Sequence, residues 1–447
     1  MSRPIPEPPG IGLLNALRFG RQTFRFLKGI QARYDDLVKI PVPGRPPLVI
    51  VTNPRLGHEV LSRPEEFGRV PVQDSAALIA KRGLVQSEGD LWRQQRSIMN
   101  PAFTGRQVKA YANTTGRRVE GLAADWQASG TQAVNLHREM TSLTIRVASE
   151  ILLGEDIGSQ RARQFHEWMA IAGEEFEFGY EVAMPDWVPQ RVSPEFREAA
   201  AGILDLAEEI IEGRRRALAA DEQDDRPPDM LTMLIRAEDD PDVTYPENQI
   251  RDEVATFLIA GHETTALSLS YTLSLLSSQP EIRDQVRVEA QRVLKAGPPT
   301  YEDIEDLTRT RQVYDEALRL YPPAWAVFRR VNVDVQLGEY GVAEGSAVIV
   351  PQWSIHRDKE YFENPGQFDP NRWERRRTTE VEAYFPFSSG PHACIGKQFA
   401  LSGATLSLAR LVRDFDVDVR QSELDDLHVT PTLRPVGGIE ATVTPIS

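Results

Sequence analysis

Apolar residues recur every three to four positions through long stretches of the chain, the period of a helix with one buried face. That spacing predicts helices over 106–127, 135–153, 194–219, 247–278, 280–295 and 399–415. β-branched runs bounded by Gly and Pro predict short strands at 48–51, 331–335 and 347–350, with β-rich parts at about 35–70 and 325–390. These strands do not alternate with helices one for one, as a doubly wound parallel sheet requires. The expectation is an α+β fold, mainly helical with small segregated β-sheets. No repeat or low-complexity tract divides the chain, and the polar stretch 221–229 reads as a loop between helices, so 1–447 is expected to be a single domain.

The apolar run 254–276 is long, but His262, Glu263 and several hydroxyl residues lie within it, which reads as a buried helix rather than a membrane span. The N-terminal segment also lacks the roughly 20 apolar residues of a span. Arg18 and Arg21 interrupt it, and its early prolines suit an extended lead-in rather than a signal peptide. The expected location is cytoplasmic, with no transmembrane segment. At 41% hydrophobic and 26% charged residues, the 447-residue chain has ample material for a core, and its one cysteine excludes a disulfide scaffold. A net charge of −15 argues against nucleic acid as a partner.

That cysteine, Cys394, lies in Phe385-Pro386-Phe387-Ser388-Ser389-Gly390-Pro391-His392-Ala393-Cys394-Ile395-Gly396, just before the helix expected at 399–415. The positive end of a helix and its free N–H groups favour thiolate over thiol. A lone cysteine is more often a small buried hydrophobe. Two glycines, a proline and a histidine are poor material for packing one, so the loop points to chemistry.

The segment resembles the haem-binding loop of the cytochrome P-450 family, Phe-x-x-Gly-x-Arg/His-x-Cys-x-Gly, with Phe387, Gly390, His392, Cys394 and Gly396 at its fixed positions. The resemblance implies that Cys394 is the axial iron ligand of a b-type haem, with Phe387 beneath the sulfur and His392 at a propionate. A thiolate ligand pushes electron density to the iron and favours O–O cleavage.

Three further motifs extend the resemblance. Ala260-Gly261-His262-Glu263-Thr264-Thr265 places a mid-helix glycine beside a threonine able to bond the carbonyl four residues back, and so predicts a weakened helix centre inside buried sequence. It resembles the family's oxygen-activating motif, which implies that Ala260 and Gly261 border the oxygen site and that Glu263 and Thr264 relay protons. Glu316 and Arg319, three residues apart on one helix face, are followed by Arg372 in Phe368-Asp369-Pro370-Asn371-Arg372-Trp373. In the family such residues form a structural network bracing the haem loop. Trp92 and Arg96, an i, i+4 pair, resemble the family's Trp-x-x-x-Arg at the haem edge; from the residues alone an ordinary amphipathic helix reads as well.

The resemblance, which runs from Trp92 to Gly396, implies a haem-thiolate monooxygenase. Phe257 and the stretch Ala324, Trp325, Ala326 and Val327 are expected to line an apolar substrate site, roofed by the loop 69–84. A lipid-like substrate follows, a fatty acid or an isoprenoid such as a carotenoid. A ferredoxin-type donor with its reductase is expected to supply electrons, docking at a patch of His392, Lys397, Arg372 and Arg375–Arg377. A peroxide-driven peroxygenase of the same fold and a non-enzymatic haem sensor or electron carrier stand as alternatives. The retained Glu263–Thr264 pair argues against the first, and the long, polar-centred helix over an apolar site against the second.

Overall fold

The computed structural model describes residues 3–42, 44–70, 78–79, 81–154, 156–175, 192–220, 229–420 and 427–446. The anticipated loop 221–229 therefore falls almost wholly outside the described residues, as do 71–77 and 80 of the anticipated roof. Helices dominate and the sheets are small and separate, the α+β arrangement expected from the spacing.

The longest helix, Gln249–Ser277, has 29 residues and is buried along nearly its whole length. It packs against Leu136–Leu152, Pro194–Ala219 and Thr308–Leu320, which explains why its sequence is apolar on every side. Asn248, at φ 63°, ends the preceding turn, so the helix starts two residues later than the apolar spacing suggests. Hydroxyls along it, among them Thr256, Ser270, Thr272 and Ser274, satisfy themselves on carbonyls four residues back. The helix is unbroken across Ala260 to Thr265, so the weak centre expected there is no interruption.

Lys397–Asp414 follows the Cys394 loop and packs on Gly105–Ser129 and Pro280–Val293. Phe399 at its start stacks on Tyr111 (ring centroids 4.3 Å apart) and meets Phe103 (5.0 Å), whose other side stacks on Phe257 of the central helix (5.8 Å). This aromatic column ties the two helices together.

A five-stranded sheet has the order Leu37–Ile40, Leu48–Val51, Ala347–Val350, Val327–Val331, Phe67–Gly68. Its one parallel pairing joins Leu48–Val51 to Ala347–Val350. A three-stranded sheet sets Glu440–Pro445 between Gln132–Asn135 and Phe415–Val419, and Leu427–Val429 with Leu433–Pro435 makes a hairpin. The strand expected at 331–335 is in fact the end of Val327–Val331 and the start of Val335–Leu337, which belong to different sheets. Alternation through Val331-Asn332-Val333-Asp334-Val335 imitates one strand. Asn332 instead donates its side-chain amide to the Glu65 carbonyl, and Asp334 accepts from the Glu344 N–H, which turns the chain between them. Among the described residues no helix is long and apolar enough to cross a membrane.

Candidate active site

The loop before Lys397–Asp414 is closed by its own backbone: Cys394 N–H donates to the Phe387 carbonyl at 3.0 Å, and Ala393 N–H to that of Gly390 at 3.1 Å. Gly390 has φ +72°, and a Cβ there would collide with the Leu61 carbonyl, so the position admits only glycine. His58 braces the loop by bonding Ser389 Oγ and the Glu382 carbonyl at 2.7 and 2.8 Å. His356 Nε2 accepts from Phe385 N–H at 3.1 Å, and Gln352 donates to the Phe385 carbonyl. Cys394 is accessible on one side and otherwise enclosed by protein. Burial raises its pKa, while the Gly396 N–H, Arg96 and Lys397 pull it down. In the protein alone burial outweighs the helix end that was expected to favour thiolate.

Trp92 and Arg96, on Gly89–Met99, both address this loop. Trp92 meets the His392 ring edge-on at 4.2 Å, and Arg96 donates to the Ala393 carbonyl at 3.3 Å. Two arginines missed in the sequence join them. Burial, followed by the neighbouring cations Arg69, Arg329 and Arg96, pushes His392 down to about 3. Burial and Arg329 bring Arg69 down to about 10, and burial lowers Arg329 too. Among the described residues none of the three arginines forms an ion pair with a carboxylate. Glu88, the nearest acid, accepts from the Arg69 backbone N–H. Enclosed cations gathered without a counter-ion suit a ligand with anionic arms. Beside them stands the chain's only thiol. One sulfur beside three enclosed arginines, with His392 and Trp92 between them, is a set of residues that fits haem and its anionic propionates. Arg329 carried a readable signal: Val327, Arg329 and Val331 share one face of a strand, and a charge there interrupts an otherwise apolar face.

On the central helix, Ala260, Gly261 and Thr264 form an accessible strip between buried stretches. Thr264 Oγ1 donates to the Ala260 carbonyl at 3.1 Å. A Cβ on Gly261 would touch Ala148 Cβ at 3.5 Å, so its missing side chain faces the helix Leu136–Leu152. Ala260 is the more open of the two. Glu263 is buried and paired with Arg434, which also donates to the Met169 carbonyl at 2.7 Å. A Cβ on Gly173 would collide with the Arg434 guanidinium, so that glycine gives the arginine its path. Arg434 is a partner of Glu263 that no motif in the sequence marks.

Glu316 and Arg319 are fully buried and joined by two hydrogen bonds of 2.9 and 2.8 Å. Arg372 reaches Glu316 at 3.0 Å, and Arg319 also donates to the carbonyls of His356, Pro365 and Gln367. His356 in turn holds Phe385, so the network is linked to the Cys394 loop through one histidine. This removes Arg372 from the expected donor-docking patch, and enclosure keeps His392 neutral, leaving Lys397 and Arg375–Arg377.

Ala324 and Val327 are part-exposed, whereas Phe257 is buried in the aromatic column. Trp325 is the clear exception among the expected lining residues. It is fully buried, donates Nε1 to the Thr430 carbonyl at 2.8 Å and meets Phe24 edge-on at 6.1 Å. Its neighbourhood is the core beneath the N-terminal helices, and it offers a substrate no surface.

The cytochrome P450 family model matches residues 4–439. The chain is 32% identical to a cyclooctatin synthase of Streptomyces melanosporofaciens over 415 residues, 90% of this chain and 88% of that protein. It is 30% identical to a cyclooctat-9-en-7-ol 5-monooxygenase of the same organism, over 90% of this chain and 87% of that protein. It is also 28% identical to a pentalenene oxygenase of Streptomyces avermitilis, over 94% of each chain. The chain belongs to the cytochrome P450 family, the class of haem enzymes that its fold and thiol loop define. Within that family it is a monooxygenase served by a redox partner.

Proposed function

We propose that the chain hydroxylates a hydrocarbon-rich terpenoid, holding a b-type haem between Gln249–Ser277 and Lys397–Asp414. The accessible thiol of Cys394, beside a cluster of cations without counter-ions, is the observation that carries this reading. Cys394 is the iron ligand, with Phe387 and Gly396 around the sulfur, and Arg69, Arg96, Arg329, His392 and Trp92 hold the propionate edge. Covalent attachment of the c type needs a second cysteine, and the chain has only one. Bound there, haem supplies dioxygen activation: one oxygen atom enters a C–H bond and the other leaves as water, using two electrons and two protons.

Thr264 presents its hydroxyl from the accessible strip and keeps it oriented on the Ala260 carbonyl. Glu263 is the proton source behind it, and Arg434 pairs with its carboxylate and fixes its position. Ala260 and Gly261 border the oxygen site. Glu316, Arg319 and Arg372 act through structure, keeping the Cys394 loop in register through His356.

The apolar, part-exposed Ala324 and Val327 support a hydrophobic substrate, and the names pentalenene and cyclooctat-9-en-7-ol support an isoprenoid skeleton over a fatty acid. A ferredoxin with its reductase in the cytoplasm is the proposed electron source. Terpene alkenes and alcohols, titrated alongside fatty acids, test the substrate class through the spin-state shift of the haem spectrum and product analysis. Terpenoids should shift the spectrum and yield alcohols. Turnover of fatty acids alone would refute the assignment.

A further inference from the structure

We infer that the N-terminal helix pair docks the enzyme on an anionic phospholipid surface. Between Glu7 and Asp35 the chain carries five basic residues and no acid, in a protein of net charge −15. The segment forms two short helices, Gly12–Arg21 and Thr23–Gln31, whose inner faces bury Ala16, Phe19, Leu27 and Ile30. All five cations are exposed: Arg18 and Arg21 on the first helix, Arg25 and Lys28 on the second, and Arg33 just beyond its end. Among the described residues no carboxylate pairs with any of them. Two of the flanking acids are engaged elsewhere, Glu7 with Lys39 at 2.9 Å and Asp36 with Asn53 and Tyr340, each at 3.0 Å, and the third, Asp35, lies exposed beyond the second helix.

Two further features point to lipid rather than to a soluble acidic protein. At the start of the first helix, Ile11, Leu13 and Leu14 are 66%, 38% and 47% exposed, three large aliphatic side chains side by side. Arginines beside exposed aliphatics match the boundary between headgroups and acyl chains, where an amphipathic helix lies flat. In addition, a surface pocket of about 470 Å³ opens between the helices, lined by Asn15, Arg18, Gln22, Arg25 and Arg33, with room for a phosphate headgroup. The remaining surface is strongly acidic and is repelled by an anionic membrane, so docking fixes one orientation.

The placement also bears on substrate supply. Phe24 of the second helix packs on Trp353 at 4.3 Å and on Trp325, which adjoins the part-exposed Ala324. A docked enzyme therefore sets the start of the proposed lining close to the phase that dissolves lipid-like molecules.

Flotation of the purified haem-loaded protein with vesicles tests this surface independently of substrate and chemistry. The protein should bind phosphatidylcholine vesicles containing phosphatidylglycerol, bind phosphatidylcholine alone far more weakly, and release at about 1 M salt, where screening shortens to about 3 Å. Arg18→Gln, Arg25→Gln and Arg33→Gln combined should weaken binding by roughly a hundredfold, each cation near a charged surface contributing about tenfold or less. Leu13→Ser with Leu14→Ser should weaken it with no change in its dependence on salt. Both variants should keep the far-ultraviolet circular dichroism and haem spectrum of the parent. Equal binding to both vesicle types, no binding, or variants that bind like the parent would overturn the inference. So would a triple variant that floats normally but requires more ferredoxin for half-maximal turnover, which would give the surface to the electron donor.

Discussion

Glu263, the proposed proton source behind Thr264, is buried and paired with Arg434. Removing the arginine leaves the buried Glu263 side chain without its partner, so Arg434→Met should lower stability by about 3–5 kcal/mol in denaturant titrations. Glu263→Gln should lower turnover on the order of a hundredfold with substrate affinity unchanged. Thr264→Ala should keep the substrate-induced spectral shift while product formed per electron falls severalfold; unchanged coupling would exclude the relay. At this scale the sequence marked Cys394, Gly390 and Thr264 by their fixed motif positions, and the structure places the first two in one tight loop and the third on the accessible strip of the central helix. Arg69, Arg329 and Arg434 were overlooked because arginine is abundant here and each acquires meaning only when distant strands and loops converge.

Elements were legible where one face, or every face, is apolar over many turns: Pro194–Ala219 matches its expected bounds, and Gly105–Ser129 and Pro280–Val293 differ by a few residues at their ends. The segment 331–335 was misread because period-two alternation continues across a turn made by the Asn332 and Asp334 side chains. Trp325 was misplaced because an aromatic after two prolines gives no sign of which core it enters. Two substitutions probe how elements hold the cysteine loop. Arg319→Met strips Glu316 of its bidentate partner and should cost about 3–5 kcal/mol in unfolding experiments, with haem lost at lower denaturant. Gly390→Ala forces a side chain onto the Leu61 carbonyl at positive φ, and should reduce haem retention while the helices stay folded by circular dichroism.

Across the whole molecule, buried ionisable groups set how stability depends on pH. Burial holds His137, His262 and His356 neutral, each near 3 against 6.5 when exposed. Their contribution is complete above about 6.5 and is lost as the pH falls toward 3, because the unfolded chain takes up protons that the folded one refuses. Glu253 acts in the opposite sense: burial lifts it to about 8 from 4.5, so its contribution is complete below 4.5 and is lost as the pH rises to about 8. Melting temperature should therefore fall on the acid side, and Glu253→Gln should flatten only the decline toward alkaline pH. The acidic balance was visible in composition, but the basic N-terminal face, its exposure and its neighbouring aliphatics were recognised only in the fold. The central claim, that Cys394 binds haem iron as a thiolate, is tested most directly by the carbon monoxide difference spectrum of the reduced protein. The parent should show the red-shifted Soret band from which the family takes its name, and Cys394→Ala should lose it. A parent spectrum typical of nitrogen ligation, or a Cys394→Ala protein that keeps the red-shifted band, would contradict the account.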